Sequence, residues 1–333
     1  LSAMLGVDED ELSFGPSTTQ NVYVLAQAFR EWLSPGDTIV VTNQDHEANT
    51  GAWRRLAASG IELREWQVDP ETGRLDPADL PALLDGAKLL AFPHCSNVVG
   101  EINDVAAITA LAHQAGAVTC VDGVSYAPHG FPDVGALGAD IYMFSAYKTY
   151  VQHQGIMTIR RAKGEALPNQ AHHFNGGALE KRFTPAGPDH AQVAASAGMA
   201  DYVDALYAMM KLPHVDARTR AAAVHDAMRA RETDLLAPLL EYLAGRNDVR
   251  LLGPRTVERR APTVAIHADT PGEDLAAALA PHGINAGGGD FYAVRPLQAM
   301  GIDPTHGVLR MSFTHYTTEG EIERLIRALD HVL

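Results

Sequence analysis

The chain has 333 residues, of which 46% are hydrophobic, and its formal net charge is -15. This length and composition allow a substantial buried core, most simply one large domain with a smaller one, and argue against a disordered chain. The 26 basic residues are scattered among 41 acidic ones, so the charge pattern argues against a nucleic acid or an anionic membrane as a partner.

The segment from residue 14 to residue 160 alternates amphipathic stretches with short apolar runs. Amphipathic stretches indicate helices and short apolar runs indicate buried strands, so the segment predicts a parallel sheet covered by helices. Strands are predicted at residues 37–42, 61–66, 88–93, 117–122, 141–145 and 156–159, and helices at residues 22–33, 50–58 and 105–115.

The rest of the chain has a different pattern. Residues 168–188 are rich in Gly, His and Pro and predict an irregular crossing, and an Ala-rich helical region follows over residues 192–243. Later strands are predicted at 249–252, 263–268 and 307–313, and helices at 273–280 and from 318 onward. We therefore predict an α/β fold. A large domain, residues 1–230, holds a mostly parallel sheet sandwiched by helices, and a smaller α+β domain covers residues 231–333.

The cysteines indicate the compartment. Cys95 and Cys120 are the only two, and both lie in apolar, strand-like runs, so we expect buried free thiols in a reducing, cytoplasmic environment. No apolar run approaches the roughly 20 residues of a membrane-spanning helix, and no metal site is predicted. The chain opens at Leu1 and reaches a candidate cofactor motif by Thr19, so we expect further residues upstream.

Lys148 is the first candidate for chemistry. It follows the predicted strand at 141–145, and ligands bind beyond the carboxyl ends of strands in α/β sheets. A lysine in a partly desolvated pocket can lose its proton and form an imine. Without further evidence, a lysine at such a position is more often a surface residue in a turn.

Asp122 is the second candidate, because it ends the predicted strand at 117–122 and precedes a Gly-containing turn. A carboxylate at the ring nitrogen of pyridoxal 5'-phosphate (PLP) keeps that nitrogen protonated, and the protonated ring is an electron sink. Taken without Lys148, an Asp here is more simply a cap for the next loop or helix.

A third signal is the run Ser17-Thr18-Thr19 before an amphipathic segment. Backbone N–H groups and hydroxyls at a helix N-terminus bind phosphate. An ordinary N-cap explains the same residues, so the motif carries weight only beside Lys148 and Asp122.

Together these residues resemble the class V aminotransferase family of fold type I PLP enzymes, which includes cysteine desulfurases and selenocysteine lyases. The resemblance covers nearly the whole chain. It implies a fold type I PLP-dependent transferase in which PLP forms a Schiff base with Lys148 and Asp122 contacts the ring nitrogen. It also implies a homodimer and a small-molecule amino acid substrate.

Further motifs extend the resemblance. The run at 45–49, Asp-His-Glu-Ala-Asn, is similar to the family segment whose histidine stacks on the pyridine ring. Other family motifs are resembled by the runs at 96–100, 122–129, 144–148, 308–312 and 316–319. The roles they imply are catalysis by Lys148, Asp122 and His46, cofactor binding by these and by Thr18, Thr19, Asn97, Ser125, Ser145 and Tyr147, and substrate binding by Arg310 and Asn97.

The sequence departs from the family at four places. Ser125 replaces a glutamine, Tyr147 replaces a histidine, and Pro188 stands where relatives have a phosphate-binding threonine. Residues 285–292 read Asn-Ala-Gly-Gly-Gly-Asp-Phe-Tyr where desulfurases carry their cysteine loop. Because Cys95 and Cys120 are expected at strand positions, neither is a candidate for the persulfide-forming nucleophile, and the chain resembles a subgroup that lacks the catalytic cysteine.

The resemblance leaves the reaction open among β-elimination, transamination and epimerisation, with carbon–sulfur or carbon–selenium lyase and aminotransferase chemistry favoured. The alternative is a PLP-fold sensor or scaffold that binds cofactor or ligand without turnover. The altered phosphate contacts and the absent cysteine loop favour this alternative. The combination of Lys148, Asp122, His46, Asn97 and Arg310 favours an enzyme, because binding alone does not require the whole set.

Overall fold

The computed structural model describes residues 1–333 and contains two sheets. The larger sheet has seven strands in the order β1-β7-β6-β5-β4-β2-β3. Strands β2 to β6 are parallel to one another, whereas β7 is antiparallel to β6 and β1 is antiparallel to β7. Its strands are β1 Leu12–Gly15, β2 Thr38–Thr42, β3 Glu62–Trp66, β4 Ala87–Pro93, β5 Val118–Asp122, β6 Ile141–Ser145 and β7 Gly155–Ile159.

Helices cover both faces of this sheet, because the residues of its central strands β2, β5 and β6 are buried throughout and such strands need apolar layers on each side. The helices up to residue 209 are α1 Ser2–Leu5, α2 Thr18–Trp32, α3 Glu47–Arg54, α4 Leu80–Leu83, α5 Val105–Gln114, α6 Val134–Leu137, α7 Arg161–Ala166, α8 His190–Ala195 and α9 Ala197–Met209.

The smaller sheet is antiparallel, with the order β10-β11-β9-β8. A separate apolar core lies between this sheet and the helices that pack on it. Its elements are α10 Ala217–Ala244, β8 Val249–Leu251, β9 Thr263–Ala268, α11 Gly272–Leu279, β10 Gly287–Gly289, α12 Val294–Ala299, β11 Val308–Ser312 and α13 Glu319–Val332.

The predicted mixed α/β architecture is confirmed, and each predicted strand differs from the observed one by at most one residue at either end. Three predictions were wrong. The helix after Ser17 begins at Thr18 rather than near Val22, the helical region at 192–243 is divided among α8, α9 and α10, and Cys95 lies beyond the end of β4 rather than in a strand. The predicted helix is interrupted after Met209, where α9 ends and a turn containing Pro213 follows. Proline prevents the helix from continuing, because it lacks an N–H and restricts the residue before it.

Helix α10 connects the two cores. Ala221, Val224 and Met228 pack in the core of the larger sheet, and the leucines from Leu235 to Leu243 pack in the core of the smaller one. The division into domains at residues 230 and 231 stays a prediction. No helix in the structure combines the length and the hydrophobicity needed to cross a membrane.

Candidate active site

A pocket opens beyond the carboxyl ends of β4, β5 and β6, where the parallel strands bring their following loops together. The amino-terminal residues of α2 and the start of α3 complete its wall. Its lining residues are Thr18, Thr19, Asp45, His46, Ala48, Cys95, Asn97, Asp122, Val124, Ser125, Ser145, Tyr147 and Lys148.

One end of the pocket is a cradle of donors at the start of α2. Ser17 caps this helix by accepting a hydrogen bond from the Gln20 backbone N–H at 3.1 Å, and the Thr18 and Ser145 hydroxyls lie 2.8 Å apart. Gly155 in β7 allows this approach, because a Cβ there would lie 2.6 Å from the Thr18 nitrogen. The cradle therefore has the hydroxyls and the helix dipole that bind phosphate.

Asp122 lies in the middle of the pocket and is buried. One carboxylate oxygen accepts a hydrogen bond from the Val124 backbone N–H at 2.8 Å. Burial raises the pKa of Asp122 to about 6, against the opposing effects of that hydrogen bond and of the Lys148 charge. A cationic ligand beside this carboxyl group would favour its ionised form.

His46 faces the pocket as a neutral imidazole. Burial first, and then the charges of Lys148 and Arg310, lower the pKa of His46 to about 4. Its Nδ1 accepts the Ala48 backbone N–H at 3.0 Å, which caps α3 and fixes the ring. A neutral, fixed ring is suited to stack on a flat cationic ligand.

Asp45 is a pocket residue to which the sequence assigned no role. It is buried, accepts the Asn49 side-chain amide at 2.6 Å and the His46 N–H at 2.9 Å. Burial, together with the nearby Asp122 charge, raises the pKa of Asp45 well above its usual range. The motif at 45–49 marked this segment, but the sequence did not show that its first carboxyl group would face Asp122.

Lys148 ends a short turn after β6 and makes neither a hydrogen bond nor an ion pair within the chain. Burial lowers the pKa of Lys148, and the Arg310 charge lowers it further against the opposing effect of Asp122. Tyr147 lies beside it, 46% exposed, with its ring parallel to that of His153 at a centroid distance of 4.9 Å. An amine with a lowered pKa and no partner is available for covalent chemistry.

Arg310 in β11 borders a second cavity, of about 390 Å³, that shares Asn97, Ser125 and Lys148 with the first pocket. Arg310 donates to the Asn97 carbonyl oxygen at 2.8 Å and has no carboxylate partner. Burial lowers the pKa of Arg310 to about 10. The smaller sheet thus places an unpaired guanidinium beside the lysine, where an anionic substrate group could reach both.

The structure therefore brings the predicted residues together around two adjoining cavities. Pro188 lies elsewhere, in a groove of about 570 Å³ between α2 and the segment at 183–189. Cys95 lines the first pocket, although the sequence placed it in a strand, and burial raises the pKa of its thiol to about 12. Cys120 is buried in β5, and both cysteines are free.

Comparison with known proteins identifies the family. The model for the family "Aminotransferase class-V" matches residues 1–325. The chain belongs to the class V aminotransferase family. Members of this family are PLP-dependent enzymes, so the prediction of PLP as the cofactor is confirmed.

Proteins similar to this family member are named after two different activities. The chain is 32% identical over 333 residues to the "Aminotransferase-like protein FGM3" of Gibberella zeae, which covers 97% of this chain and 79% of that protein. It is 31% identical over 343 residues to a cysteine desulfurase of Serratia proteamaculans, which covers 97% and 78%.

A solved structure confirms the fold. The apo structure of a cysteine desulfurase from Thermococcus onnurineus superimposes with a TM-score of 0.85 at 24% identity, over 99% of this chain and 81% of that chain. The predicted fold type I architecture is therefore confirmed.

The pocket of this family member fits PLP on its own geometry. The cradle at Thr18 and Ser145 suits the phosphate, and the buried Asp122 carboxyl group suits the ring nitrogen. Asn97 Oδ1 is a buried acceptor without a partner, and such atoms are costly unless a ligand or water satisfies them. The donors, acceptors and unpaired lysine are the set that this cofactor needs.

Proposed function

We propose that this class V aminotransferase binds PLP covalently through Lys148 and acts on an amino acid whose α-carboxylate binds Arg310. The observation that carries the proposal is a pair of partly buried cations without a carboxylate partner, Lys148 after β6 and Arg310 in β11, which line one cavity together with Asn97. A buried charge without a partner is costly, so each cation is explained by a group that it binds during function.

The cofactor, when bound, supplies an electron sink next to the substrate α-carbon. The residues of the chain would bind the cofactor and orient the substrate. Asp122 would keep the ring nitrogen protonated, and His46 would stack on the ring. The phosphate would be bound by Thr18, Thr19, Ser145 and Tyr147. Asn97 and Ser125 line both cavities and would contact the substrate.

Lys148 is the proposed base at the substrate α-carbon. Burial lowers the pKa of Lys148, which favours the neutral amine that a base must present. Arg310 binds the carboxylate through its planar fork of donors and so places the α-carbon near Nζ. Carbon–sulfur or carbon–selenium cleavage and transamination both begin with loss of this proton.

The names of the relatives support these two reaction types, since the first is called aminotransferase-like and others are called cysteine desulfurases. The absence of cysteine from residues 285–292 and the raised pKa of the Cys95 thiol argue against a persulfide on this chain. The same comparisons give no support to a sensor or scaffold. A homodimer and a cytoplasmic location complete the proposal, and light scattering tests the dimer.

The decisive experiment is an absorption spectrum of the purified protein with PLP, before and after borohydride, followed by peptide mass spectrometry. We expect a visible band that borohydride removes, and PLP fixed on Lys148. The Lys148→Ala variant should lose both the fixed cofactor and turnover, whereas Lys88→Ala, a change of an exposed lysine in β4, should keep both. Attachment at another lysine, or full activity of Lys148→Ala, would overturn the proposal.

A further inference from the structure

The turn between β10 and α12 holds two residues in an unusual conformation. Phe291 and Tyr292 have φ values of 54° and 56°, in the left-handed region that residues with a Cβ seldom adopt. Consecutive residues keep this conformation only when the surrounding structure holds them, and such sites cluster where ligands bind. The turn falls within the segment that replaces the cysteine loop of the desulfurases.

The wall of the cofactor pocket holds the turn at two points. The Asn97 side-chain amide donates to the Phe291 carbonyl oxygen at 2.9 Å, and the Glu47 backbone N–H donates to the Tyr292 carbonyl oxygen at 3.0 Å. Arg295, just beyond the turn, pairs with Glu47 at 3.3 Å. Both anchors therefore belong to segments that line the pocket or adjoin it.

The result is that Phe291 lies against Arg310. The guanidinium carbon lies 3.9 Å from the centroid of the Phe291 ring. Gly287 pairs with Arg310 across the sheet, and a Cβ on Gly287 would lie 2.8 Å from the same ring. The bare glycine thus provides the space that lets the ring reach the guanidinium.

We propose that Phe291 is a positioning residue for Arg310, and that the ring, with the Asn97 carbonyl oxygen, holds the guanidinium in place to receive a substrate carboxylate. This inference rests on the proposed function, since it assigns Arg310 the same ligand. An aromatic face attracts a guanidinium without using its N–H donors, so the remaining donors stay free for the carboxylate. A loop that supplies a nucleophile in desulfurases supplies an aromatic support here.

The test compares binding of an amino acid with binding of the amine that lacks its carboxylate. The twenty common L-amino acids are first titrated against the wild-type holoenzyme by cofactor absorption, and the strongest binder is paired with its decarboxylated amine. Phe291→Leu removes the aromatic face but keeps an apolar side chain, and Phe291→Tyr keeps the face. Phe174→Ala, at an exposed aromatic residue that lines none of these cavities, is the control.

We expect Phe291→Leu to raise the apparent Kd of the amino acid roughly tenfold, with little change for the amine or in kcat. Phe291→Tyr and Phe174→Ala should bind like the wild type. An equal loss for the amino acid and the amine, or no loss in Phe291→Leu, would overturn the positioning role while leaving the proposed function intact. If no amino acid changes the wild-type spectrum, the proposed function fails and the positioning role fails with it.

The rate at which phenylglyoxal modifies Arg310 reports on the position of the guanidinium without any substrate. Phenylglyoxal reacts with free guanidinium groups, and peptide mass spectrometry reports the rate at Arg310 alone. The rate should rise in Phe291→Leu and stay unchanged in Phe291→Tyr. Equal rates in all variants would also contradict the proposal.

Discussion

At the scale of single residues, the active site is built from groups whose environment disfavours their charged forms. Asp122 and Asp45 are both buried with raised pKa values, and Lys148 and Arg310 have lowered ones. A ligand that pairs with these charges recovers the free energy lost by burying them. A cofactor that pairs with these groups should therefore also stabilise the folded protein.

The Asp122→Asn variant tests this coupling in the protein without cofactor. The folded pKa of about 6 lies above the unfolded value, so the stability contributed by protonated Asp122 is present below about pH 4 and is lost as the pH rises through about 6. Asparagine stays neutral, so at pH 8 the variant should have a higher free energy of unfolding than the wild type, by on the order of 3 kcal/mol.

Urea denaturation at pH 4 and pH 8 measures the effect. The difference should largely disappear at pH 4, and Asp201→Asn, at an exposed residue of α9, should behave like the wild type at both pH values. With PLP bound, the variant should instead be less stabilised than the wild type. A variant less stable than the wild type at pH 8 without PLP would show that burial of Asp122 is not costly.

The two cysteines give a second prediction at this scale. Burial raises the pKa of Cys95 to about 12 and that of Cys120 well above its usual range, and the thiolate is the reactive form. Iodoacetamide at pH 8 should therefore label neither cysteine in the native protein and both after unfolding in urea. Rapid labelling of Cys95 in the native protein would reopen the possibility of a persulfide at that position.

At the scale of elements, the approach of α2 to β7 creates the phosphate cradle. Gly155→Ala would place a Cβ 2.4 Å from the Ser17 carbonyl carbon, which is closer than atoms can come, so the helix N-terminus must move. We expect overpacking to cost about 1–3 kcal/mol of stability and the affinity for PLP to fall roughly tenfold, as loss of one hydrogen bond to a charged group does.

Fluorescence titration of the protein with PLP measures this change. Gly177→Ala is the matched control, because a Cβ at that position meets no atom within 4 Å. Its PLP affinity should equal that of the wild type. An unchanged affinity in Gly155→Ala would mean that the start of α2 does not contact the phosphate.

The strands also show which parts of the fold and of the site could be predicted from the sequence. The strands ending at Asp122 and Ser145 were predictable, because each is a short, mainly apolar run that ends in a polar residue. Strand β10 was not, since Gly-Gly-Gly has no strand propensity and forms only because β11 pairs with it. The role of Phe291 was hidden for the same reason, since it depends on a tertiary contact with Arg310.

At the scale of the whole molecule, a buried charge network under the second cavity joins the two sheets. Glu232 on α10 is fully buried, accepts from Arg229 at 3.1 Å and lies 2.9 Å from His129, which lines the cavity. Arg229 also donates at 2.8 Å to the Arg260 carbonyl oxygen, in the segment before β9. The network therefore links the loop after β5 to the smaller sheet.

Glu232→Gln should destabilise the protein by about 3 kcal/mol, because removing one partner leaves the partly buried Arg229 without its counter-charge. Glu241→Gln, at an exposed position on the same helix, should change the free energy of unfolding by less than about 0.5 kcal/mol. Urea denaturation of both variants makes the comparison. A small effect in Glu232→Gln would show that water or the Arg260 carbonyl oxygen satisfies the Arg229 donors.

The glycines of β10 have a consequence for redesign of the enzyme. Gly288 lies so close to the start of α11 that a Cβ would meet the Gly272 carbonyl oxygen at 2.2 Å, and a Cβ on Gly307 would meet the Gly289 backbone at 2.6 Å. A mutational library meant to broaden the range of amino acids accepted should therefore leave this backbone scaffold untouched. The diversity belongs at the neighbouring side chains that face the cavity, such as Thr314 and Tyr316, where new shapes can be sampled without moving the helix against the sheet.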